Sequence, residues 1–442
     1  LIVVISLSSL GQQKPNIIYI LADDLGYGDI SCLNAASKIQ TPNIDRLAKN
    51  GVVLNRFYAN PTCSPSRASL LTGRPSSRMG IVAQISDTSK TKLPDSIPTL
   101  PKLLHQNNYQ TALFGKWHLG LQPSSGPKAY GFDYSYGFLH GQIDQYTHKY
   151  KNGDESWYRN GEFIVEKGHA TDLITQEAIQ WISEKRDAKK NFFLQVAYSA
   201  PHFPLQEEQK WKDPYMNSIK NSSRRDYAAA MSHLDNSIGI LLEKLKQENL
   251  ENNTLIIFMS DNGAMENWDS KGEYNDVHPS NDRLGDNTPL RDWKTSNYEG
   301  AIRVPCAVYW KGHLKSYTNQ SYISVIDLLP SFLFLAGDKN LHPTIEGKNV
   351  WSAISERSEA ESVLSESLKM IQEIAYDESL ELPSDLLVEL SDVTAKIKLA
   401  INLHLEAVNA ARNVRRKIII RLFRLAGKAP EPVKYAFEDD VL

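Results

Sequence analysis

The segment Asn16-Ile17-Ile18-Tyr19-Ile20-Leu21-Ala22-Asp23-Asp24 joins an apolar run of strand length to two adjacent carboxylates. Residues 16–21 have the length and composition of a buried strand. The pair Asp23 and Asp24 follows at the point where that strand ends. Similar apolar runs alternate with helix-like stretches up to about Trp351. This pattern predicts an α/β fold with a large, mostly parallel central sheet sandwiched by helices.

Two later strands also end in polar residues. Residues 192–198 run into a segment that contains His202, and residues 255–259 run into Asp261 and Asn262. In open α/β sheets the ligand crevice lies outside the carboxyl ends of the strands. We therefore expect the segments after these strands to converge on one site, although an Asp after a strand is more often a turn or helix-cap residue.

The composition excludes several classes of protein. The 442 residues leave room for one large α/β domain and a smaller region at one end. The 41% hydrophobic and 23% charged residues argue against disorder, collagen-like repeats and a multi-span membrane protein. The chain has 49 Lys and Arg and 52 Asp and Glu, which gives a net charge of −3. No general basic surface therefore favours nucleic acid as a partner. The three cysteines are too few for a disulfide framework.

Residues 1–13 resemble the end of a signal peptide. They begin with an apolar run that is too short to span a bilayer. Small residues at Ser9 and Gly11 suit cleavage before Gln12. This predicts an exported protein, which is periplasmic, extracellular or lysosomal depending on its source. The alternative is a buried first strand, because no charged region precedes the run.

A second informative segment begins at Cys63. Pro65 suits the first turn of a helix, and Gly73 suits its C-terminal end. Cys63 is therefore expected at a helix N-terminus, where free N–H groups and the positive end of the helix dipole favour an anion. Taken alone, a cysteine is more often a small buried apolar residue. That is the role we expect of Cys32 and Cys306.

The segment Cys63-Ser64-Pro65-Ser66-Arg67-Ala68-Ser69-Leu70-Leu71-Thr72-Gly73-Arg74 matches the signature C-x-P-S-R-x-x-x-[LM]-T-G-R at every defined position. The chain thereby resembles the sulfatases, the formylglycine-dependent branch of the alkaline-phosphatase superfamily, over roughly residues 14–351. Residues 109–118 are similar to the second family signature, with Asn108 where Gly is usual. Asn tolerates the left-handed conformation that this position implies. Further similar segments are residues 200–202, 260–263, 289–294 and 299–305.

The resemblance implies a modified nucleophile at Cys63. In the family a dedicated maturation enzyme, the formylglycine-generating enzyme, oxidises this cysteine to Cα-formylglycine. The hydrated aldehyde would supply the nucleophilic hydroxyl. A sulfate monoester repels nucleophiles, and its cleavage leaves an alkoxide or phenoxide. Catalysis therefore needs local positive charge and a proton donor.

The resemblance also assigns roles to five further residues. Arg67 would steady the hydrated formylglycine, and Lys116 and Lys294 would bind sulfate oxygens. His202 would protonate the leaving oxygen. His118 would take the proton from the remaining hydroxyl, so that sulfate is expelled and the aldehyde is restored. Taken alone, the lysines would be surface residues and His202 a loop residue, but their combination favours function.

Four predicted metal ligands, Asp23, Asp24, Asp261 and Asn262, offer only oxygen atoms. Such a set suits a hard cation, Ca²⁺ more readily than Mg²⁺, and argues against Zn²⁺, which prefers His or Cys. The ion would also hold the formylglycine hydroxyl at Cys63 and a sulfate oxygen.

The domain organisation is expected to comprise a catalytic domain at residues 14–355 and a helical C-terminal region at residues 356–442 that is atypical for the family. Apolar residues between 400 and 425 recur at helical spacing. The basic residues of that helix could contact a membrane surface or an anionic glycan, although a solvated helix face is the simpler interpretation. His140 falls where relatives place polar residues that line the pocket.

The sequence thus predicts an exported, Ca²⁺-dependent sulfuric ester hydrolase that acts on a sulfated carbohydrate or an aryl sulfate. A phosphonate or phosphate ester hydrolase could use the same nucleophile and metal. A third alternative is a catalytically inactive protein that binds sulfated glycans and leaves Cys63 unmodified. The sugar and the sulfated position are not predicted, because loops without a readable pattern set them.

Overall fold

The computed structural model describes residues 14–338, 340 and 342–355. The predicted signal-peptide remnant at residues 1–13 and the predicted helical region at residues 356–442 lie outside the described residues. None of the helices in the described ranges combines the length and the hydrophobicity that a membrane span requires.

A ten-stranded mixed sheet forms the centre of the described structure, in the order β11-β2-β10-β9-β1-β8-β4-β5-β6-β7, and β3 and β12 form a separate pair. The strands are β1 (Asn16–Ala22), β2 (Val52–Leu54), β3 (Phe57–Tyr58), β4 (Gln110–Lys116), β5 (Tyr134–Phe138), β6 (Trp157–Arg159), β7 (Glu162–Phe163), β8 (Phe192–Ala197), β9 (Thr254–Ser260), β10 (Cys306–Tyr309), β11 (Tyr317–Asn319) and β12 (Ile323–Ser324).

The strand β1 lies between β8 and β9, and all three run parallel. Leu21 pairs with Ala197 on one side and with Met259 on the other, so the three strands end at the same level. The parallel centre continues through β4 and β5, whereas β10 on one side and β6 and β7 on the other are antiparallel. The sheet is thus mixed at its sides, and the polar segments after β1, β8 and β9 share one edge.

Helices cover both faces of the sheet. Every residue of β1 is buried, and alternate residues enter two different cores, with Tyr19 in one and Ile18 in the other. One core includes α2, α3 and α8, and the other includes α1, α4 and α6. The helices are α1 (Pro42–Lys49), α2 (Cys63–Thr72), α3 (Leu100–Gln106), α4 (Ala170–Gln180), α5 (Gln209–Lys212), α6 (Ser222–Gln247), α7 (Glu299–Ile302) and α8 (Leu328–Leu335).

Local predictions from single residues are confirmed in most cases. The helix α2 begins at Cys63, and Gly73 follows it with φ of 63°. Asn108 has φ of 66°, in the left-handed region. Cys306 is buried in β10 as expected, but the prediction for Cys32 is wrong because this cysteine is exposed. It lies in a surface loop that is held by a hydrogen bond from its N–H to Asp45 Oδ1 (3.2 Å), not by apolar packing.

A buried polar cluster lies away from the strand ends. His233 on α6 contacts Glu207 through Nδ1 (2.7 Å) and Asp172 through Nε2 (3.0 Å). Both ring nitrogens can donate at once only in the charged imidazolium. His169 Nδ1 accepts the N–H of Thr171, so its proton lies on Nε2, 3.6 Å from Glu207 Oε1. The side chains of His169, Glu207 and His233 are close enough to hold a cation. Because the nitrogens of His169 and His233 that face Glu207 carry protons, these side chains form a hydrogen-bonded network instead.

This cluster predicts a loss of stability as the pH rises. Burial opposes the charge of His233, but hydrogen bonds to Asp172 and Glu207 raise its pKa to about 9. The pKa in the unfolded chain is about 6.5, so the stabilisation is complete below that pH and is lost as the pH rises through about 9. The full effect is on the order of 3 kcal/mol. Melting temperatures measured across this range should fall in the wild type and fall less in His233→Gln.

The control for this prediction is His105→Gln. His105 is exposed and lies 3.2 Å from Asp133. Its replacement should leave the pH profile of the melting temperature unchanged, because an exposed pair contributes little. A profile of His233→Gln that runs parallel to the wild type would contradict the role of the cluster.

Candidate active site

The acidic residues after β1 lie at the meeting point of the three strand ends. Asp23 and Asp24 are buried, as is Asp261 after β9. The N–H of Asp23 donates to Ala200 O (3.1 Å), and the N–H of Asp261 donates to Ala22 O (3.1 Å). Asp24 has φ of 64°, and its N–H faces Asp261 Oδ1 at 3.3 Å. Backbone hydrogen bonds therefore join the segments after β1, β8 and β9 into one site.

The first turn of α2 brings Cys63 to this site. Cys63 is 2% exposed. The next residue fixes the helix end, since Ser64 Oγ donates to His118 O (2.9 Å) and accepts the N–H of Ile85 (3.1 Å). Two loops that are distant in sequence are thereby tied to the N-terminus of α2. The side chain at position 63 consequently has little freedom to move away from the strand ends.

Arg67 connects α2 to the acidic residues. Its Nε and Nη2 donate to Asp261 Oδ2 at 3.1 and 2.8 Å, and Nη1 donates to Lys116 O at 2.9 Å. The side chain is 1% exposed, which makes this ion pair fully buried. Arg67 thus holds Asp261 in place. The contact predicted between Arg67 and a hydrated formylglycine stays a prediction.

Two lysines pair with the carboxylates after β1. Lys116 Nζ lies 2.5 Å from Asp23 Oδ2, and Lys294 Nζ lies 2.7 Å from Asp24 Oδ1. Burial alone would raise the pKa of Asp24, but Lys294 and His202 hold that pKa below its ordinary value. Burial opposes the charge of Lys294 as well, yet Asp24 raises the pKa of Lys294 well above its usual range. Both members of this pair are therefore charged.

The predicted metal ligands fit a hard divalent cation. Asp23 Oδ1 and Asn262 Oδ1 are buried and have no hydrogen-bond partner among the described residues. Asn262 Nδ2 donates to Asp24 Oδ1 (2.7 Å), so the amide and the carboxylate lie side by side. Carboxylate and amide oxygens suit Ca²⁺ and Mg²⁺. One ligand atom each from Asp23, Asp24 and His202 lies within 4.8 Å of the others, so a nitrogen is also within reach.

His118 presents an unpaired nitrogen in the same cleft. Its Nε2 lies 2.9 Å from Ile85 O, and since a carbonyl only accepts, the ring proton lies on Nε2. Nδ1 is buried and has no partner among the described residues. Burial, reinforced by Lys116, lowers the pKa of His118 well below 6.5. The close approach of the loop requires Gly141, because a Cβ there would lie 2.5 Å from His118 Cε1. His118 is thus a neutral imidazole with a lone pair that can accept a proton.

His202 has the opposite arrangement of its nitrogens. Nδ1 donates to Phe203 O at 2.7 Å, and Nε2 lies 3.6 Å from Asp24 Oδ2. The ring packs on Phe203, which stacks on Trp268 with centroids 4.5 Å apart. Burial lowers the pKa of His202, while Asp24 raises it and Lys294 lowers it further. Because Nδ1 carries the proton of the neutral ring, His202 could donate from Nε2 only as the imidazolium, a form that the carboxylate of Asp24 favours and burial opposes.

Burial also affects Cys63 itself. It raises the pKa of the Cys63 thiol, although Lys116 and Lys294 act in the opposite direction. The nucleophilic form of a cysteine is the thiolate. An unmodified Cys63 would therefore be a protonated thiol and a weak nucleophile.

These residues face a cleft of about 240 Å³. Cys63, His118, His202 and Lys294 line it together, whereas Arg67 and Lys116 are buried and do not line it. The cleft also has a wall of residues that sequence reasoning missed, because they lie in loops without periodicity or motif. These residues are Gln84, Ile85, Ser86, Gly141, Gln142, Tyr150, Lys151, Phe203, Met265, Glu273 and Thr295.

His140 does not line this cleft. Its ring stacks on Tyr150, with centroids 4.5 Å apart, and its Nδ1 lies 2.9 Å from Ser156 Oγ. It thus supports Tyr150 from behind. A larger open depression of about 660 Å³, bordered by Cys32 and Asp45 among others, contains none of the predicted catalytic or metal-binding residues.

Known sulfatases are similar to this chain over most of its length. The family model described as Sulfatase matches residues 15–338. N-acetylgalactosamine-6-sulfatase of Mus musculus is 32% identical over 360 residues, which are 75% of this chain and 66% of that protein. Arylsulfatase J of Mus musculus is 35% identical over 364 residues, which are 78% of this chain and 56% of that protein. The chain thus spans between about half and two thirds of the length of these curated relatives.

A solved structure described as Ps i-CgsB in complex with k-i-k-neocarrahexaose is also similar. It is 37% identical, with a TM-score of 0.68, and the match covers 77% of this chain and 76% of that chain. Together with the large sheet and its two helical layers, this likeness confirms the predicted α/β, alkaline-phosphatase-like fold class.

Proposed function

Because the chain belongs to the sulfatase family, we propose that it hydrolyses sulfate monoesters of a carbohydrate or an aryl alcohol. The observation that carries this proposal is the buried position of Cys63 at the N-terminus of α2, in one cleft with His118, His202 and Lys294. One relative is named for a sulfated sugar and another for aryl sulfates, and the solved relative holds an oligosaccharide. These names support a sulfated carbohydrate as the substrate class.

In the proposed mechanism, Cys63 reacts after oxidation to Cα-formylglycine by the formylglycine-generating enzyme. A hydroxyl of the hydrated aldehyde attacks the sulfur atom in place of the weakly nucleophilic thiol, the bond between sulfur and the leaving oxygen breaks, and the sulfate is transferred to the side chain at position 63. His118 takes a proton through Nδ1, which is its unprotonated nitrogen. Removing the proton from the remaining hydroxyl expels sulfate and restores the aldehyde. Addition of water to the aldehyde then regenerates the hydrate and completes the cycle.

The other side chains would bind the metal ion and the sulfate group and protonate the leaving oxygen. Asp23, Asp24, Asp261 and Asn262 would hold a Ca²⁺ ion, which would supply Lewis acidity toward a sulfate oxygen. Lys294 and Lys116 provide ammonium groups for the remaining sulfate oxygens. Arg67 keeps Asp261 in position through two N–H groups. His202 donates its proton to the leaving oxygen.

Parallel assays test the reaction class. The wild type should hydrolyse an aryl sulfate and members of a panel of sulfated oligosaccharides faster than the matched aryl phosphonate and phosphate esters. Faster phosphonate or phosphate turnover would favour that alternative activity. Binding of sulfated oligosaccharides without any turnover, by protein with an unmodified Cys63, would favour the glycan-binding alternative.

Variants of His202 and Lys294 should fail in different ways. Poor leaving groups need a proton in the transition state, so His202→Ala should slow alkyl or sugar sulfates far more than aryl sulfates with acidic phenols. Lys294→Ala removes a charge next to sulfate whatever the leaving group is. It should cost about 3 kcal/mol, or about two decades in rate, throughout the series. The measurement is log kcat/KM against leaving-group pKa, and equal slopes for wild type and His202→Ala would exclude His202 as the acid.

Export is proposed as well, on the resemblance of residues 1–13 to the end of a signal peptide. The test is to express the native gene in its source cells and to fractionate them. Recovery of the protein in the cytosol with residues 1–13 intact would contradict export.

A further inference from the structure

One wall of the cleft carries an ion pair that the proposed sulfate chemistry does not use. Lys151 Nζ lies 2.6 Å from Glu273 Oε1, and the two side chains are 32% and 20% exposed. Both residues line the same cleft as Cys63 and Lys294. The pair therefore faces whatever carries the sulfate group.

Neighbouring groups hold this pair in place. Glu273 Oε2 accepts hydrogen bonds from Gln142 Nε2 (2.9 Å) and Trp268 Nε1 (3.2 Å). The backbone joins the two loops, since the N–H of Tyr274 donates to Lys151 O (2.7 Å). A carboxylate fixed by three donors loses little conformational freedom when it binds a ligand, which favours affinity.

The hydrogen-bonding capacity that remains on this wall suits hydroxyl groups. An ammonium has three N–H donors and a carboxylate has about four acceptor positions. One donor of Lys151 and three positions of Glu273 are used by the contacts above. Donors and an acceptor thus remain side by side. A sugar hydroxyl both donates and accepts, whereas a sulfate or carboxylate group only accepts.

The charge of the wall also favours sugar hydroxyls over sulfate or carboxylate groups. Glu273 already neutralises Lys151, so a second anionic group there would gain little from the ammonium and would be repelled by the carboxylate. The other wall side chains, among them Gln142, Tyr150 and Thr295, are uncharged. Among the described residues that line this wall, none is an unpaired cation.

We propose that Lys151 and Glu273 form a subsite for hydroxyl groups of an uncharged sugar ring that carries one sulfate. This inference rests on the proposed sulfatase function and narrows its substrate class. The subsite binds the hydroxyls next to the reacting sulfate ester. It discriminates against rings with a second sulfate or a carboxylate at that place.

Glu273→Gln tests the subsite because it removes the charge and keeps the shape. The probes are hexose monosulfates that the wild type hydrolyses, drawn from the galactose, N-acetylgalactosamine and glucose series, their disulfated counterparts, and 4-nitrophenyl sulfate. The wild type should prefer the monosulfates. In the variant, kcat/KM for the monosulfates should fall by about tenfold to a hundredfold, mainly through KM. The preference for monosulfate over disulfate should fall at least about tenfold, because Lys151 then becomes an uncompensated cation.

Lys151→Met provides the reciprocal variant. It should also weaken binding of the monosulfates but should make disulfated rings worse still, since it leaves the carboxylate alone. The matched control is Glu155→Gln, because Glu155 pairs with Lys149 at 2.8 Å, both side chains are about half exposed, and neither residue lines the cleft. Its kinetic constants should equal those of the wild type. Melting temperatures of all three variants exclude a general loss of folding.

The outcomes distinguish failure of the subsite assignment from failure of the proposed sulfatase function. If the wild type cleaves 4-nitrophenyl sulfate but no hexose monosulfate, or if it prefers disulfated rings, the subsite assignment is overturned. An unchanged ratio of monosulfate to disulfate turnover in Glu273→Gln overturns it too. If the wild type cleaves no sulfate ester at all, the proposed function itself fails, and the subsite fails with it.

Discussion

Cys63→Ala is expected to abolish hydrolysis of every sulfate ester, with a fall in kcat/KM of at least about four decades. Cys63 is the first residue of α2, and it contributes a small side chain to a site that is organised by Arg67, Ser64 and the strand ends. The variant should therefore fold and retain its circular dichroism spectrum. The measurement is kcat/KM for 4-nitrophenyl sulfate and for the preferred sugar sulfate.

The chemical identity of the nucleophile can be determined on the wild-type protein. Peptide mass spectrometry of active wild-type protein should find an aldehyde at position 63, and a hydrazide probe should label it. The matched control is Cys306→Ala, which changes a buried cysteine in β10 and should leave kcat/KM unchanged. Full activity of protein whose Cys63 is an unmodified thiol would refute the mechanism.

The second large effect concerns the cation. Asp24→Asn keeps the shape of the side chain but removes one charge from the predicted metal ligands, and it leaves Lys294 without its carboxylate partner. We expect loss of the bound ion together with a fall in kcat/KM of at least about three decades. Elemental analysis should find a divalent cation in the wild type and little in the variant. Ca²⁺ should restore chelator-treated wild type better than Mg²⁺.

Asp235→Asn serves as the control for this prediction. Asp235 on α6 is also a buried carboxylate, but it accepts hydrogen bonds from the N–H groups of Asn43 and Ile44 at the start of α1, not at the strand ends. Its replacement should lower stability without changing the metal content. Activity that survives removal of the metal from the wild type would show that the ion has no part in catalysis.

The strand ends could be predicted because the relevant physical rule is local. An apolar run followed by carboxylates predicts both a buried strand and its polar end, and the parallel arrangement of β9, β1 and β8 then brings Asp24 and Asp261 together. Pro65 likewise predicts the start of α2, and Gly73 predicts its end. In each case a few residues that are adjacent in sequence suffice to predict the end of the strand or the start of the helix.

The wall of the cleft could not be predicted, for the opposite reason. Lys151 and Glu273 are 122 residues apart, and a backbone hydrogen bond from Tyr274 to Lys151 joins their loops. No period or spacing in either segment indicates that contact. The error at Cys32 has a related cause, since the burial of a cysteine is a statistical preference that a surface loop need not follow.

The pairing of lysines with aspartates at the catalytic end of the cleft has a thermodynamic consequence. The carboxylates of Asp23, Asp24 and Asp261 are balanced by Lys116, Lys294 and Arg67, so these six side chains sum to zero charge. A divalent cation adds two positive charges to a buried region, and an anionic ester removes part of that excess. Each should therefore tighten the binding of the other by the same factor, as linkage requires. The apparent affinity for the ion should therefore rise with the concentration of sulfate ester.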